Sequence, residues 1–236
     1  MSRMIDNEPG VVLHSVPYKE NSLLVTLFTL NYGKLSAVVR LSTRVGSRNR
    51  GSYEPFTLMR FSLAEGRSAL LIVNDVFLLR PVYAIKVPRI FSATYLNELL
   101  LYLLTPKEPE PTLFAAYTRA LERLEQDENE SEILRDFEST LLSSIGYAIS
   151  YETYDGKPLE HNSFYSFNPY KGFVQSCDNA KGSYSGEALI QIKNHLNTSV
   201  DTQKILKNLN ASVIDALLEG RPLRSREMYA QFLMVN

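Results

Sequence analysis

Two hydrophobic periods divide the chain. Up to about residue 80 apolar residues alternate with polar ones or come in short runs, the repeat of strands; beyond Pro81 they recur every three or four residues, the repeat of amphipathic helices. After a polar leader, Val11-Val-Leu-His14 predicts a short strand ended by Pro17, and Ser22 to Leu30 predicts a second. The three-residue turn Asn31-Tyr-Gly33 leads into Lys34 to Arg40, so the second and third strands form a hairpin. Thr57, Met59, Phe61 and Leu63 alternate with Leu58, Arg60 and Ser62, which predicts a fourth strand with Arg60 outward. Ala64-Glu-Gly-Arg67 turns into a fifth strand, Ser68 to Val73, which Val76 to Leu79 can continue past the polar break Asn74-Asp75. Five short strands joined by tight turns predict a small barrel. The size favours a five-stranded OB fold, while an SH3-like barrel would show the same periodicity.

The helical part opens with three apolar stripes: Phe91, Tyr95, Leu96, Leu99, Leu100 and Leu103; Leu113, Phe114, Tyr117, Leu121 and Leu124; and Ile133, Leu134, Phe137, Leu141, Leu142 and Ile145. They predict three successive helices forming a bundle. The proline-rich linker Thr105 to Pro111 separates the first two, and Gly146 stands where a C-terminal cap belongs. Residues 147–185 are rich in Tyr, Gly, Asn and Ser and weakly periodic, with short strands expected around Tyr165 and Phe173. Further helices are predicted at Glu187–Leu196, at Asp201–Leu218, and after Pro222. The expected class is α+β, with an OB-fold barrel over residues 1–80 and a mainly helical domain over 81–236 that contains the irregular segment 147–185.

Charge changes the picture. Residues 1–80 hold ten Lys and Arg against six Asp and Glu (net +4), residues 81–159 seven against thirteen (net -6), and residues 160–236 eight against seven (net +1), so a formal total of -1 hides a basic first third. Much of that excess lies between Lys34 and Arg60, where Lys34, Arg40, Arg44, Arg48, Arg50 and Arg60 face one acid, Glu54. The connector from Ser42 to Ser52 is built of small and polar residues that cannot pack a core. Its arginines, flanked by Tyr53 and Phe56, suit a nucleic-acid backbone with stacked bases. Tyr32, Tyr53, Phe56 and Phe61 can be read as stacking platforms or as core, and Phe61, on the inward set, as core.

Other chemistry finds little footing. Gly46 to Gly51 has the glycine spacing of a phosphate-binding loop, yet Ser52-Tyr53 stands where Lys followed by Ser or Thr is needed. No paired-carboxylate or nucleophile signature occurs, so the chain is expected not to be an enzyme. His14, His161 and His195 are far apart and Cys177 is the one cysteine, so neither a disulfide nor a metal is expected. The polar N-terminus and the lack of any run of roughly 18 apolar residues set the expected location as the cytoplasm.

Several stretches together resemble the RecO family of recombination mediators. They are Val12 to Leu23, Tyr32-Gly-Lys-Leu35, the basic loop followed by Glu54-Pro-Phe-Thr57, Tyr95 to Leu100, Leu134-Arg-Asp-Phe-Glu138 with Leu141-Leu142 and Gly146-Tyr147, and Pro222 to Glu227, in the family's order. The resemblance implies an OB domain followed by a helical domain. It also implies binding of single- and double-stranded DNA, annealing of complementary strands, and help in loading the RecA recombinase onto strands coated by the single-strand-binding protein SSB, together with RecR. Many relatives carry a four-cysteine zinc module after the third helix; here residues 147–185 have only Cys177, which places the chain in the zinc-free branch, with no cofactor. The expected DNA contacts are Arg40, Arg44, Arg48, Arg50 and Arg60, together with Lys34. The implied dock for the acidic SSB tail, which ends in a Pro-Phe carboxylate, needs an apolar slot and a cation, for which Arg135, Phe137 and Lys204 are candidates. An ion pair of Arg135 with Glu132 or Glu138 is the competing reading. A pure OB-fold adaptor, with little direct DNA binding, is the alternative for the whole chain.

Overall fold

A computed structural model describes residues 4–41, 53–66, 70–176, 182–196 and 199–235. Its elements are β1 (Met4–Pro17), β2 (Ser22–Thr29), β3 (Gly33–Arg40), β4 (Leu58–Glu65), β5 (Leu71–Arg80), α1 (Arg89–Leu103), α2 (Pro111–Glu125), α3 (Glu130–Ser144), β6 (Phe164–Asn168), β7 (Gly172–Ser176), β8 (Tyr184–Ser185), α4 (Gly186–Lys193), α5 (Val200–Leu218) and α6 (Arg224–Val235). By contacts the chain forms two compact units, Met1–Glu130 with Leu223–Asn236, and Ser131–Pro222. This division by contacts falls at 130/131 and 222/223. Among the described residues no helix is long and apolar enough to cross a membrane.

In the first unit the five strands close into a barrel in the order β1-β2-β3-β5-β4. The β3–β5 pairing is parallel and the others antiparallel, the arrangement of an OB fold. Closure depends on β1, which is longer than its predicted core and takes in most of the polar leader. Its residues 4–11 pair with β4 and residues 10–17 with β2. Where the two pairings overlap, Gly10 lets the strand bend over the interior: a Cβ there would lie 3.1 Å from Thr29 and 3.2 Å from the Phe61 ring. Val12, Val25, Leu27, Ala37, Met59, Phe61 and Leu63 fill the inside. The polar break in the fifth strand is a bulge: Ser62 pairs with Asp75 and Leu63 with Val73, which leaves Asn74 over and carries the strand on to Arg80.

The barrel is tied to its helices by buried polar contacts. Leu13 bulges from the β1–β2 ladder, and its carbonyl accepts a hydrogen bond from Asn97 Nδ2 of α1 at 3.0 Å. The Asn97 oxygen in turn accepts from the Tyr117 hydroxyl of α2, and burial holds that phenol well above its usual pKa. The proline-rich linker lies along the start of β3: Lys34 bridges Pro106, and Lys107 N donates to the Lys34 carbonyl at 3.0 Å. This close approach requires Gly33, at φ 65°, because a Cβ there would sit 1.9 Å from the Glu108 carbonyl oxygen. Next to Asn97 in α1 the buried Glu98 carboxylate accepts from Arg224 N and Ser225 N, both at 3.0 Å, and from Ser225 Oγ at 2.5 Å, so it caps the N-terminus of α6. Phe91 packs on Tyr229 and Phe232 of α6.

In the second unit the strands expected around Tyr165 and Phe173 are β6 and β7, joined by β8 in a sheet of order β7-β6-β8. Tyr165, Phe173, Leu159, Leu189 and Leu209 form its core. Helix α3 ends in a Schellman motif, with Tyr147 N donating to Leu142 O at 2.7 Å, Gly146 N to Ser143 O at 3.2 Å, and Gly146 at φ 82°.

Asn97→Leu leaves two buried groups, the Leu13 carbonyl and the Tyr117 hydroxyl, without their partner. It should cost about 2–4 kcal/mol, with Tyr117→Phe costing about 1 kcal/mol, as read from urea or thermal unfolding midpoints.

Candidate nucleic-acid interface

The outward face of the barrel follows from the alternation of its strands. Arg40 ends β3 opposite Ser22 of β2, and Arg60 lies in β4 between Pro9 of β1 and Phe77 of β5. Both arginines are exposed, and among the described residues neither makes an ion pair. They are not brought together on one strand pair: β5 separates β3 from β4 on one side, and β1 with β2 on the other. Arg44, Arg48 and Arg50, with the rest of the connector from 42 to 52, lie outside the described residues.

Lys34 is corrected. Its side chain is half-buried, and Nζ donates to the Leu101 carbonyl at 2.6 Å, in the last turn of α1. A cation there satisfies a carbonyl that the helix leaves open and meets the negative end of the helix dipole, so Lys34 braces α1 against β3. With Leu71, Leu101, Pro106 and Lys107 it lines a cleft of about 460 Å³. Arg80 is also committed inward, to Glu122 at 3.5 Å and to Glu125 of α2, with its guanidinium 4.0 Å from the centre of the Tyr83 ring.

Of the two readings of the aromatic residues, core is what the structure contains for those flanking the loop. Tyr53 is 5% exposed and Phe56 8%, and burial pushes the Tyr53 phenol up to about 12, with the Asp75 carboxylate adding to the shift. Phe61 is wholly buried, as its place on the inward set predicts, and Tyr32 packs against the barrel core. The exposed ring is one the sequence reading passed over: Phe77 is 67% exposed, directly across from Arg60. The signal was present in the alternation, which resumes after the Asn74 bulge with Val76 toward the core and Phe77 away from it.

Between residues 4 and 80 the described part holds five cations (Lys19, Lys34, Arg40, Arg60, Arg80) and six acids (Asp6, Glu8, Glu20, Glu54, Glu65, Asp75). The basic excess of the first third therefore resides in Arg3, Arg44, Arg48, Arg50 and Arg67, outside the described residues. One acid is already spent: Glu8, 3% exposed, accepts from Asn31 N at 2.6 Å and Asn31 Nδ2 at 2.9 Å and so fixes the β2–β3 turn to β1.

In the second unit the three residues expected to receive an acidic tail part company. Arg135 is 4% exposed and holds Glu138 through two hydrogen bonds, Nε–Oε2 at 2.7 Å and Nη2–Oε1 at 2.6 Å. Asn210 of α5 adds a contact to Glu138 at 3.3 Å and one to Ser139 at 3.2 Å. Phe137 is 1% exposed and belongs to the interior, so it does not line an open slot for a ring. The competing reading of Arg135, an ion pair with Glu138, is what the structure contains, in buried form. Lys204 is exposed on α5. Cys177 lies outside the described residues, and among the described residues no group of three or more His, Cys, Asp or Glu is placed to hold a metal.

Residues 1–81 match the family model described as Recombination protein O N terminal, and residues 87–227 match the one described as Recombination protein O C terminal. A protein named DNA repair protein RecO from Tolumonas auensis is 34% identical over 231 residues, 97% of this chain and 96% of the relative. Relatives of the same name from Vibrio parahaemolyticus and Pseudoalteromonas atlantica are each 32% identical, over 93% and 94% of this chain and 91% and 93% of their own length. Barrel and helical part alike thus fall within one lineage, and the chain belongs to the recombination protein O family of DNA repair proteins.

Proposed function

We propose that this chain is a non-enzymatic recombination mediator that binds single- and double-stranded DNA, anneals complementary strands and, with RecR, helps RecA load onto SSB-coated single strands in the cytoplasm. The observation that carries the reading is the pair of exposed guanidiniums, Arg40 and Arg60, neither of which makes an ion pair among the described residues, on an OB barrel in a chain of this family. Arg44, Arg48 and Arg50 complete the proposed contact on the strength of the sequence. Annealing requires two polyanions to be held close together, and so phosphate neutralisation more than base readout. Arginines meet that need, because phosphate contacts position a strand without reading it.

If about four phosphates of a single strand are neutralised, the slope of log K against log salt should be roughly -3. Changing Arg44, Arg48 and Arg50 together to alanine should flatten the slope by roughly 2 and weaken binding by an order of magnitude or more at low salt. Unchanged affinity and slope would remove those residues from the site.

The adaptor reading draws on the described barrel residues, whose acids outnumber their bases six to five. It expects no oligonucleotide binding at moderate salt, and annealing assays with and without SSB separate the two.

For the SSB tail, Lys204 is the one of the three candidates able to meet a carboxylate without rearrangement, since Arg135 would first have to release Glu138. Lys204→Glu should weaken binding of a fluorescent tail peptide several-fold, by loss of one charge-assisted contact and addition of a repulsive one. An unaltered titration curve would take Lys204 out of the dock.

A further inference from the structure

On the outer surface of the barrel three side chains from three strands form one row. Arg60 of β4 has Pro9 of β1 as its partner on one side and Phe77 of β5 on the other. Directly opposed residues in neighbouring strands hold their Cβ atoms about 5 Å apart, so the two side chains leave the sheet from neighbouring positions. Arg60 makes no ion pair among the described residues, and Phe77 exposes two thirds of its surface. The shoulder beyond is apolar as well, with Leu78 at 46% and Leu79 at 37% exposed.

We infer that Phe77 is a stacking platform for an unpaired nucleobase whose neighbouring phosphate is held by Arg60, so that this face of the barrel distinguishes single strands from duplex. The inference rests on the DNA-binding reading above and adds to it the part of the site that senses base pairing. An aromatic face binds any base that is free to leave its own stack, whereas the bases of a duplex are already stacked on each other. An adjacent cation supplies the phosphate contact, and the separation across one strand pair suits a base and its own phosphate.

Asp75 lies two residues from Phe77 on the same face, about 7 Å along the strand. Its Oδ1 accepts from Val76 N at 2.9 Å. Its charge repels a phosphate and so confines the backbone of a bound strand to the Arg60 side of the ring. The site lies on β4 and β5, and Arg40 ends β3, the strand that pairs with β5 on its other side.

The chain has no tryptophan, so Phe77→Trp introduces a unique fluorophore at the site. Its emission should be quenched by an oligo-dT strand and left unchanged by a blunt duplex. Phe77→Ala should weaken single-strand binding roughly ten- to hundredfold, with the salt slope and duplex affinity unaltered. Arg60→Ala should reduce the single-strand slope by roughly 0.7. Because Phe77 is exposed, the thermal midpoint of Phe77→Ala should match that of the parent protein.

A parent protein that binds oligo-dT with its usual salt slope, beside a Phe77→Ala variant of equal affinity, would overturn the stacking role and leave the arginine reading intact. Equal losses on single strands and duplex would overturn it too. A parent protein that binds no oligonucleotide would overturn both. A Phe77→Ala variant that binds DNA normally but loses self-association would make this face a protein interface and overturn the inference.

Discussion

Everything at the junction of barrel and helices depends on one buried amide. The bulge at Leu13 turns a main-chain carbonyl out of the β1–β2 ladder, and in the interior an unpaired carbonyl costs about 1–3 kcal/mol. Asn97 removes that cost by donating to it, and the Tyr117 hydroxyl satisfies the amide's own oxygen. Each contact has a single good geometry, so α1 and α2 are held in register with the strand in a way that apolar packing alone would not specify. The lysine at position 34 and the glutamate at position 98 extend the same logic along α1. One closes a carbonyl in its last turn, and the other reaches the first backbone amides of α6.

These contacts explain what several stretches shared with the family do. Tyr95 to Leu100 contains the asparagine that holds the barrel and the glutamate that holds α6. Pro222 to Glu227 supplies the amides and the serine hydroxyl that this glutamate receives, while Arg226 lies over the Tyr95 ring at 5.6 Å. Tyr32-Gly-Lys-Leu35 contains the glycine that admits the linker and the lysine that braces the helix. Ordered motifs scattered over more than a hundred residues thus meet around one helix.

The barrel was legible because strand alternation is a local signal. Thr57, Met59, Phe61 and Leu63 sort inward and Arg60 outward with no knowledge of the partner strands. The parallel β3–β5 pairing, which separates the OB arrangement from an SH3-like one, involves only Ala37 with Leu71 and Val38 with Ile72, and no periodicity announces a contact between strands so far apart in the chain. The full length of β1 was missed because the polar run Asp6-Asn7-Glu8 interrupts its alternation. Asp6 and Asn7 sit at an irregularity in the β1–β4 register, and Glu8 faces the Asn31 amides instead of solvent. The site was legible in charge and illegible in burial. A sequence shows that Lys34, Arg80 and Arg135 carry cations, but only their neighbours show that Leu101, Glu122 with Glu125, and Glu138 already hold them.

The same distinction separates the two kinds of basic residue in this molecule. Arg135 stays charged in the interior because a bidentate carboxylate replaces the lost water. Removing either partner would strand the other, so the pair fixes the local packing of α3 more than it offers itself to a ligand. Among the described residues Arg40 and Arg60 bear no such obligation. Their charge is compensated by mobile counterions, and a polyanion can displace those ions with a gain in entropy, which an internal carboxylate denies. Among the described residues, Arg40 and Arg60 are therefore cations that a polyanion can reach without breaking an internal ion pair.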